Sequence, residues 1–358
     1  MQFDFDEQQS GLAESVRAVL DSECPIALSR DIVERSDTSG AGALWAQISD
    51  LGWPALTVPE TAGGLGLGTV EACIVYEELG RHLAPVPFVT TVGGLVPALV
   101  ASGSTLHSEV LQAVANGEAT GALIDGDVRA TSQADASWTL DGTARFVLAG
   151  ASLSHLAIIA ATDAGEQAFV VDANVAEFEP VDAFDASRQV SNVRLDAVQV
   201  TGSAAVGSAG DEMPATMRRH ACLALAAETL GVCQSLFERT LAYVKEREQF
   251  GVAIGSFQAV KHKIVDVFVA VEKLRALVYF ASLTLDEGDP RAASAVSMAK
   301  AAGGDTSRLA CKEAIQLHGG IGYTWESDIH LFVKRAKTAD ALFGSPAKHR
   351  SRVGQLAF

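Results

Sequence analysis

Arg247-Glu248-Gln249-Phe250-Gly251-Val252-Ala253-Ile254-Gly255-Ser256-Phe257-Gln258 decides how this chain is read, because it ends a long apolar-periodic segment and couples a permanent charge to a turn. Just before it, Leu223, Ala226, Leu230, Cys233, Phe237, Thr240 and Val244 are spaced to form one face of a helix about eight turns long. That length suits a helix bundle that also packs against other subunits. A guanidinium beyond such a helix is always charged and forks onto carboxylate or phosphate oxygens.

Working outward, helix periodicity holds from about Met213 to the C-terminus, with a loop at Asp286 to Pro290 and a further helix from Arg291 to about Leu317, stopped by Gly319-Gly320. Upstream, between about Ala119 and Val206, the pattern turns to short β-rich runs: Ser137 to Leu140, Arg145 to Leu148, Ala157 to Ala160 and Ala168 to Val171. Turn signals at Asp141-Gly142 and Asp163-Ala164-Gly165 are expected to separate them. From Glu7 to about Asn116 the spacing is helical again, as in Leu12, Val16, Val19 and Leu20, with breaks at Pro25, Pro54, Pro59, the glycine cluster 61–68 and Pro85 to Pro87. The expectation is an α+β chain divided as 1–117 helical, 118–208 β and 209–358 helix bundle.

The 358 residues carry 27 basic and 44 acidic side chains, a formal charge of −17 that repels nucleic acid and anionic membranes. Any polyanionic ligand must therefore meet a local basic patch. Cys24, Cys73, Cys222, Cys233 and Cys311 have neither CxxC nor Cys/His ligand spacing, so buried free thiols are expected, with no metal site. Met1 to Glu7 is acidic, without a basic segment leading into an apolar one, which predicts a cytoplasmic protein not inserted in a membrane.

Arg-x-x-Phe-Gly-x-x-Ile-x-x-Phe-Gln resembles the flavin-binding signature of the acyl-CoA dehydrogenase family. Two further blocks are similar to that family: Val58-Pro59-Glu60-Thr61-Ala62-Gly63-Gly64-Leu65-Gly66 with Glu77-Glu78-Leu79-Gly80-Arg81, and Gln316-Leu317-His318-Gly319-Gly320-Ile321-Gly322-Tyr323. The resemblance implies three successive regions, helical, β and helical, usually in tetramers built by the C-terminal bundles. It implies FAD as cofactor, an acyl-CoA thioester as substrate and electron-transfer flavoprotein as acceptor. Arg247, Phe250, Gln258, Gln316, Gly319 and Gly320 take the cofactor-binding roles; in the family the Arg and the Gln reach a neighbour's FAD, and the glycine amides approach its diphosphate.

The implied reaction removes an α-proton with a positioned carboxylate while the β-hydrogen leaves as hydride. The family draws that Glu from one of two places. In the turn after the penultimate helix, here Lys337 to Ser345, Phe343 stands in its place. On the long helix, counting back from Arg247, the Glu falls at Ala221 and its adjoining Arg at Cys222. Glu228 and Asp340 are the carboxylates left to nominate as a displaced base; the plainer readings are a polar position at a subunit contact and a solvated helix end. The β region also departs: Ile124 to Thr131 lacks the Thr-Glu-Pro-Gly-Ala-Gly-Ser-Asp-like stretch, and Ala144 to Ala149 lacks the Lys-x-Trp-Ile-Thr/Ser stretch that covers the flavin ring.

This half-retained pattern resembles the catalytically incomplete subunits of actinobacterial α2β2 acyl-CoA dehydrogenases of sterol side-chain degradation, which also end in a run like Leu342-Phe343-Gly344-Ser345-Pro346. The alternatives are a self-sufficient homotetramer with a relocated base and a non-catalytic structural or CoA-binding module. Three smaller clusters have two readings each: Arg218-Arg219-His220 as a helix-start face or a phosphate patch, His318 as a helix-end residue or a cofactor contact, and Asp185 with Arg188 as a structural pair.

Overall fold

The computed structural model describes residues 5–102, 105–149 and 152–357. Helices flank a seven-stranded sheet in sequence, the α+β order expected, and the chain gathers into two compact units. One comprises Asp37–Gly68 and Pro85–Ala221; the other comprises Met1–Ser36, Thr69–Ala84 and Cys222–Phe358.

The sheet belongs to the first unit. Its strands are β1 (Gly121–Ser132), β2 (Trp138–Leu148), β3 (His155–Thr162), β4 (Gly165–Asp172), β5 (Glu177–Pro180), β6 (Val190–Val200) and β7 (Ala205–Val206), in the spatial order β5-β6-β2-β1-β3-β4-β7. Among the described residues, only β1 and β3 pair in parallel. Ile124, Leu140, Leu156, Ile158, Phe169 and Val193 fill the core, with Trp138 edge-on to Phe169 at 5.4 Å. The expected turn at Asp163-Ala164-Gly165 joins β3 to β4. The one at Asp141-Gly142 does not form: those residues lie inside β2, and the runs 137–140 and 145–148 are one strand. A Cβ at Gly142 would lie 2.1 Å from the Asp127 carbonyl oxygen, so glycine serves a close approach at a bulge, not a hairpin.

In the second unit, α1 (Glu7–Glu23) starts at a capping box, with Gln9 N–H donating to Asp6 Oδ1 at 2.8 Å and Asp6 N–H to Gln9 Oε1 at 3.2 Å. α2 (Ile26–Arg35) follows Pro25, and Pro54, Pro59 and Pro87 likewise fall at helix starts or in short 3-10 turns, as their fixed φ favours. The bundle consists of α4 (Thr69–His82), most of α8 (Met213–Glu246), α9 (Gln258–Asp286), α10 (Ala292–His318), α11 (Ile329–Ala341) and α12 (Pro346–Ala357); α3 (Ser39–Asp50), α5 (Phe88–Thr90), α6 (Val96–Ser102) and α7 (Thr105–Ala115) belong to the sheet unit. An 18-residue window of α8 has a mean hydropathy of 1.2 and is 83% buried, as the core helix of a bundle should be.

The Glu77 to Arg81 block is the hub of this bundle. Glu77 binds Arg275 and accepts from Tyr279 Oη at 2.8 Å, Glu78 pairs with Arg17 at 2.6 Å, and Arg81 pairs with Glu238 at 2.5 Å. Asp286, at the end of α9, accepts from the Thr69 N–H at 2.8 Å and so caps α4. These residues tie α4 to α1, α8 and α9. The block is therefore structural. Within the sheet unit, Gly64 allows a close approach inside its own loop, where a Cβ would fall 2.0 Å from the Val58 carbonyl oxygen.

Candidate functional site

α8 ends in a tight two-strand hairpin, β8 (Glu248–Gln249) and β9 (Val252–Ala253), with Phe250 at φ 56° and Gly251 at φ 81°. Two successive left-handed residues make the turn that matches strand twist, and the Phe-Gly pair supplies it. Ile254 N–H donates to the Arg247 carbonyl at 2.8 Å and closes the hairpin base. Gly255 then passes so near α8 that a Cβ would sit 2.8 Å from the Val244 carbonyl oxygen. α9 begins directly at Gln258.

Arg247 is exposed, and among the described residues its side chain makes no ion pair with Glu246, Glu248 or any other carboxylate. Phe250 is 94% exposed, edge-on to Phe257 at 6.3 Å. A free guanidinium beside a presented aromatic is suited to an anionic, ring-bearing ligand.

α10 delivers the second half. Its end is capped by Gly319 at φ 65°, and a Cβ at Gly319 or Gly320 would meet nothing within 4 Å. Those amides lie beside open space, where a ligand phosphate can approach. His318 stacks on Tyr243 at 4.3 Å, and its Nδ1 lies 2.8 Å from the Ala314 carbonyl oxygen, which makes Nδ1 the protonated nitrogen. Burial pushes this imidazole below its usual value. The helix-end reading of His318 is the one that holds, and the stack joins the hairpin to the glycine turn. Lys263 paired with Glu313 links α9 to α10 at the same end. The arrangement thus brings Arg247, Phe250, Gln258, Gln316, Gly319 and Gly320 to one end of the bundle, all exposed. Tyr323 and Trp325 are exposed just beyond, with Lys334 over the Trp325 ring at 4.5 Å, a feature that sequence spacing did not single out.

The nominated bases fare differently. Glu228 is no polar residue at a subunit contact: it is buried within the chain and pairs with Arg335 at 3.1 Å, both side chains being at most 3% exposed. Arg335 also donates to the Leu83 carbonyl at 3.3 Å. Asp340 is no solvated helix end either, since its side chain is 17% exposed and Arg308 stands 3.8 Å away. Ala221 and Cys222 are buried on α8. Phe343 lies in the turn after α11 at φ 54°, and His349 Nε2 lies 3.1 Å from its carbonyl oxygen. Burial, and then the charge of Lys300, bring His349 down to about 4. An unfolded His titrates near 6.5, so between about 6.5 and 4 the unfolded chain binds a proton that the native one refuses. Stability should therefore fall as pH drops through that window. Urea midpoints at pH 7.5 and 5.0 check this, and His349→Gln should reduce the difference, leaving the part due to His220, which burial also brings down to about 4.

In the sheet unit, Arg218 is committed internally, forked onto Asp125 at 2.7 and 2.8 Å and Glu166 at 2.6 and 2.8 Å. Arg219 binds Thr216 at 2.7 Å and Glu212 at 3.4 Å, and His220 is partly buried, so this cluster is a helix-start face. Asp185, buried, faces Arg188 at 3.8 Å and shapes its loop as a structural pair. Strand β1 runs unbroken through Ile124 to Thr131. In Ala144 to Ala149 a bulge turns Phe146 to φ 59° and exposes it. The five cysteines are buried free thiols, and among the described residues no three His, Cys, Asp or Glu side chains are grouped to hold a metal.

Residues 6–118 match the acyl-CoA dehydrogenase N-terminal domain and residues 216–357 match the C-terminal domain. The chain is 31% identical to acyl-CoA dehydrogenase IpdE2 of Mycolicibacterium smegmatis over 353 residues, 98% of this chain and 99% of that one. It is 33% identical to acyl-CoA dehydrogenase FadE34 of Mycobacterium tuberculosis over 317 residues, 87% of this chain but 42% of that protein's length. Among solved structures, the ChsE4-ChsE5 complex from Mycobacterium tuberculosis superposes with a TM-score of 0.91 at 24% identity, covering 99% of this chain and 98% of that one. The Tcur3481-Tcur3483 steroid ACAD G363A variant does so with 0.88 at 28%, covering 98% of each. The chain belongs to the acyl-CoA dehydrogenase family, whose members are FAD-dependent flavoproteins.

Proposed function

We propose that this chain is an acyl-CoA dehydrogenase subunit that completes a partner's FAD site and lacks a catalytic base of its own. The observation that carries the reading is the contrast between the two sides of its flavin machinery. On the outward side Arg247 is uncommitted and the Gly319-Gly320 amides are open; they fit a dinucleotide diphosphate, with Gln258 and Gln316 beside them for its polar groups. Against that, the two positions where the family carries its base are the apolar Phe343 and Ala221, and of the acidic side chains Glu228 is locked to Arg335 and Asp125 to Arg218. When bound, FAD supplies the hydride acceptor; this chain's residues hold its phosphates.

The partner is a second acyl-CoA dehydrogenase chain in an α2β2 assembly, and the substrate a CoA thioester of sterol side-chain type. Support comes from the IpdE2 relative and the two-chain and steroid assemblies named above. Electron-transfer flavoprotein is the acceptor, and 117/118 and 208/209 are the boundaries of the three domains. Expressed alone, the protein should hold little flavin; co-expressed with such a partner, it should give one FAD per two chains by absorbance and mass. Arg247→Ala should lower that occupancy at least tenfold without moving the melting temperature of the flavin-free protein, since a phosphate contact is lost but no internal side-chain bond is. One FAD per chain in a lone tetramer, with turnover, would replace this reading by a self-sufficient enzyme.

A further inference from the structure

α9 has two apolar faces, and its own bundle uses one. Ile264, Val267, Val271 and Leu274 are buried against the other helices. Val265, Phe268 and Val269, in the middle of the same helix, are 53, 46 and 58% exposed, and Phe257 at its N-cap is 40% exposed. The Phe237 ring of α8 lies 5.5 Å from that of Phe268 and supports it from one side. A surface helix needs one apolar stripe to join its own core, and a second, contiguous and exposed, marks a contact with something else.

The charges that flank the second stripe say what it fits. Lys261, Val265, Phe268 and Glu272 are spaced four, three and four residues apart, which puts them on one line of the helix, a cation at one end, an anion at the other and two apolar side chains between. Lys261 is exposed, and Glu272 is 44% exposed and held within its own helix by Arg275 at 3.3 Å. Asp266 and Lys273, both exposed, lie off this line to one side. Suppose the helix is laid antiparallel on a copy of itself, with Val265 against Phe268 of the second copy. The same register sets Lys261 against Glu272 of the second copy and Phe257 against the small, exposed Ala276 of the second copy, because all three pairs lie symmetrically about one point, between Asp266 and Val267. A parallel pairing in register would instead set lysine on lysine and glutamate on glutamate. Since each chain carries a formal charge of −17, two copies repel at a distance, and a stable contact needs its charges matched locally.

We propose that this face of α9 is a contact with a second copy of the chain, the two helices antiparallel about a two-fold axis at the level of Asp266 and Val267. A self-complementary patch of this kind is what an isologous interface requires. It would also give the α2β2 assembly proposed above a two-fold axis, but it stands on the geometry of α9 and not on that reading.

The test is sedimentation velocity of the full-length chain, purified alone at micromolar concentration, which reads mass and not flavin and so fails or succeeds apart from the proposed function. The chain should be a dimer. Phe268→Lys, or Val265→Asp, should weaken dimerisation at least tenfold with the urea midpoint unchanged, because both side chains are exposed within the chain. Lys261→Glu and Glu272→Lys should each weaken it, and the two together should restore it, because the swapped charges meet again across the axis. A monomer throughout, a dimer indifferent to Phe268→Lys and Val265→Asp, or a double swap no tighter than the singles overturns the proposal. So does a lone monomer whose Phe268→Lys variant fails to bind a co-expressed second acyl-CoA dehydrogenase chain, which would assign the face to that unlike partner.

Discussion

Gly231→Ala should be the most damaging single methyl in the bundle. A Cβ on Gly231 of α8 would lie 1.7 Å from the Glu77 carbonyl oxygen and 2.7 Å from the Arg81 nitrogen, both backbone atoms of α4. From the other side, a Cβ on Gly80 would lie 2.0 Å from the Glu228 carbonyl oxygen. The two helices thus cross backbone to backbone, with a glycine on each side. A side chain can rotate away from an added methyl; a helix backbone cannot. α4 would have to lift off α8, breaking the Glu77 contacts with Arg275 and Tyr279 and the Arg81–Glu238 pair. Overpacking a core costs about 1–3 kcal/mol when side chains can adjust, and this case belongs at or above the top of that range. Loss of soluble protein, or an unfolding free energy from urea denaturation lowered by about 3 kcal/mol or more, is expected. A change below about 0.5 kcal/mol, the size of an ordinary surface substitution, would mean that the crossing is looser than drawn.

Arg335→Met should come next. Arg335 and Glu228 are both buried, 3.1 Å apart, and removal of one partner strands a charge in a medium that cannot solvate it. Breaking such a pair costs about 3–5 kcal/mol, whereas replacing both members with apolar residues of similar size can be nearly neutral. The double variant Glu228→Leu with Arg335→Met should therefore recover much of the loss, in a cycle measured by urea denaturation. The same pair separates two accounts of Glu228. As a structural anion, Glu228→Gln lowers stability whether or not flavin is present. As a displaced base, it would leave stability nearly untouched and abolish turnover.

Much of this was legible in the residues. Proline and glycine breaks fell where the helices start and stop, because those effects are local: a fixed φ, a missing N–H, a missing Cβ. Phe250-Gly251 made a tight turn for the same reason. Asp141-Gly142 was misread because a glycine that admits a turn also admits a neighbouring strand, and only the position of Asp127 distinguishes the two. The two carboxylates Glu228 and Asp340 were misread as polar surface because burial is not a property of an isolated residue.

Local order along the chain, together with motifs whose work lies in a few adjacent backbone angles, was decided by the amino-acid sequence: the helical, β and helical succession, the hairpin after α8 and the glycine stop of α10. Which charges are spent internally and which stay available was decided only once the chain had folded. Arg218 and Arg247 are the same side chain in sequence terms, yet one is forked onto Asp125 and Glu166 and the other meets no carboxylate among the described residues. The partners of Arg218 lie 93 and 52 residues away along the chain, and a Coulomb interaction depends on separation in space, which folding alone sets.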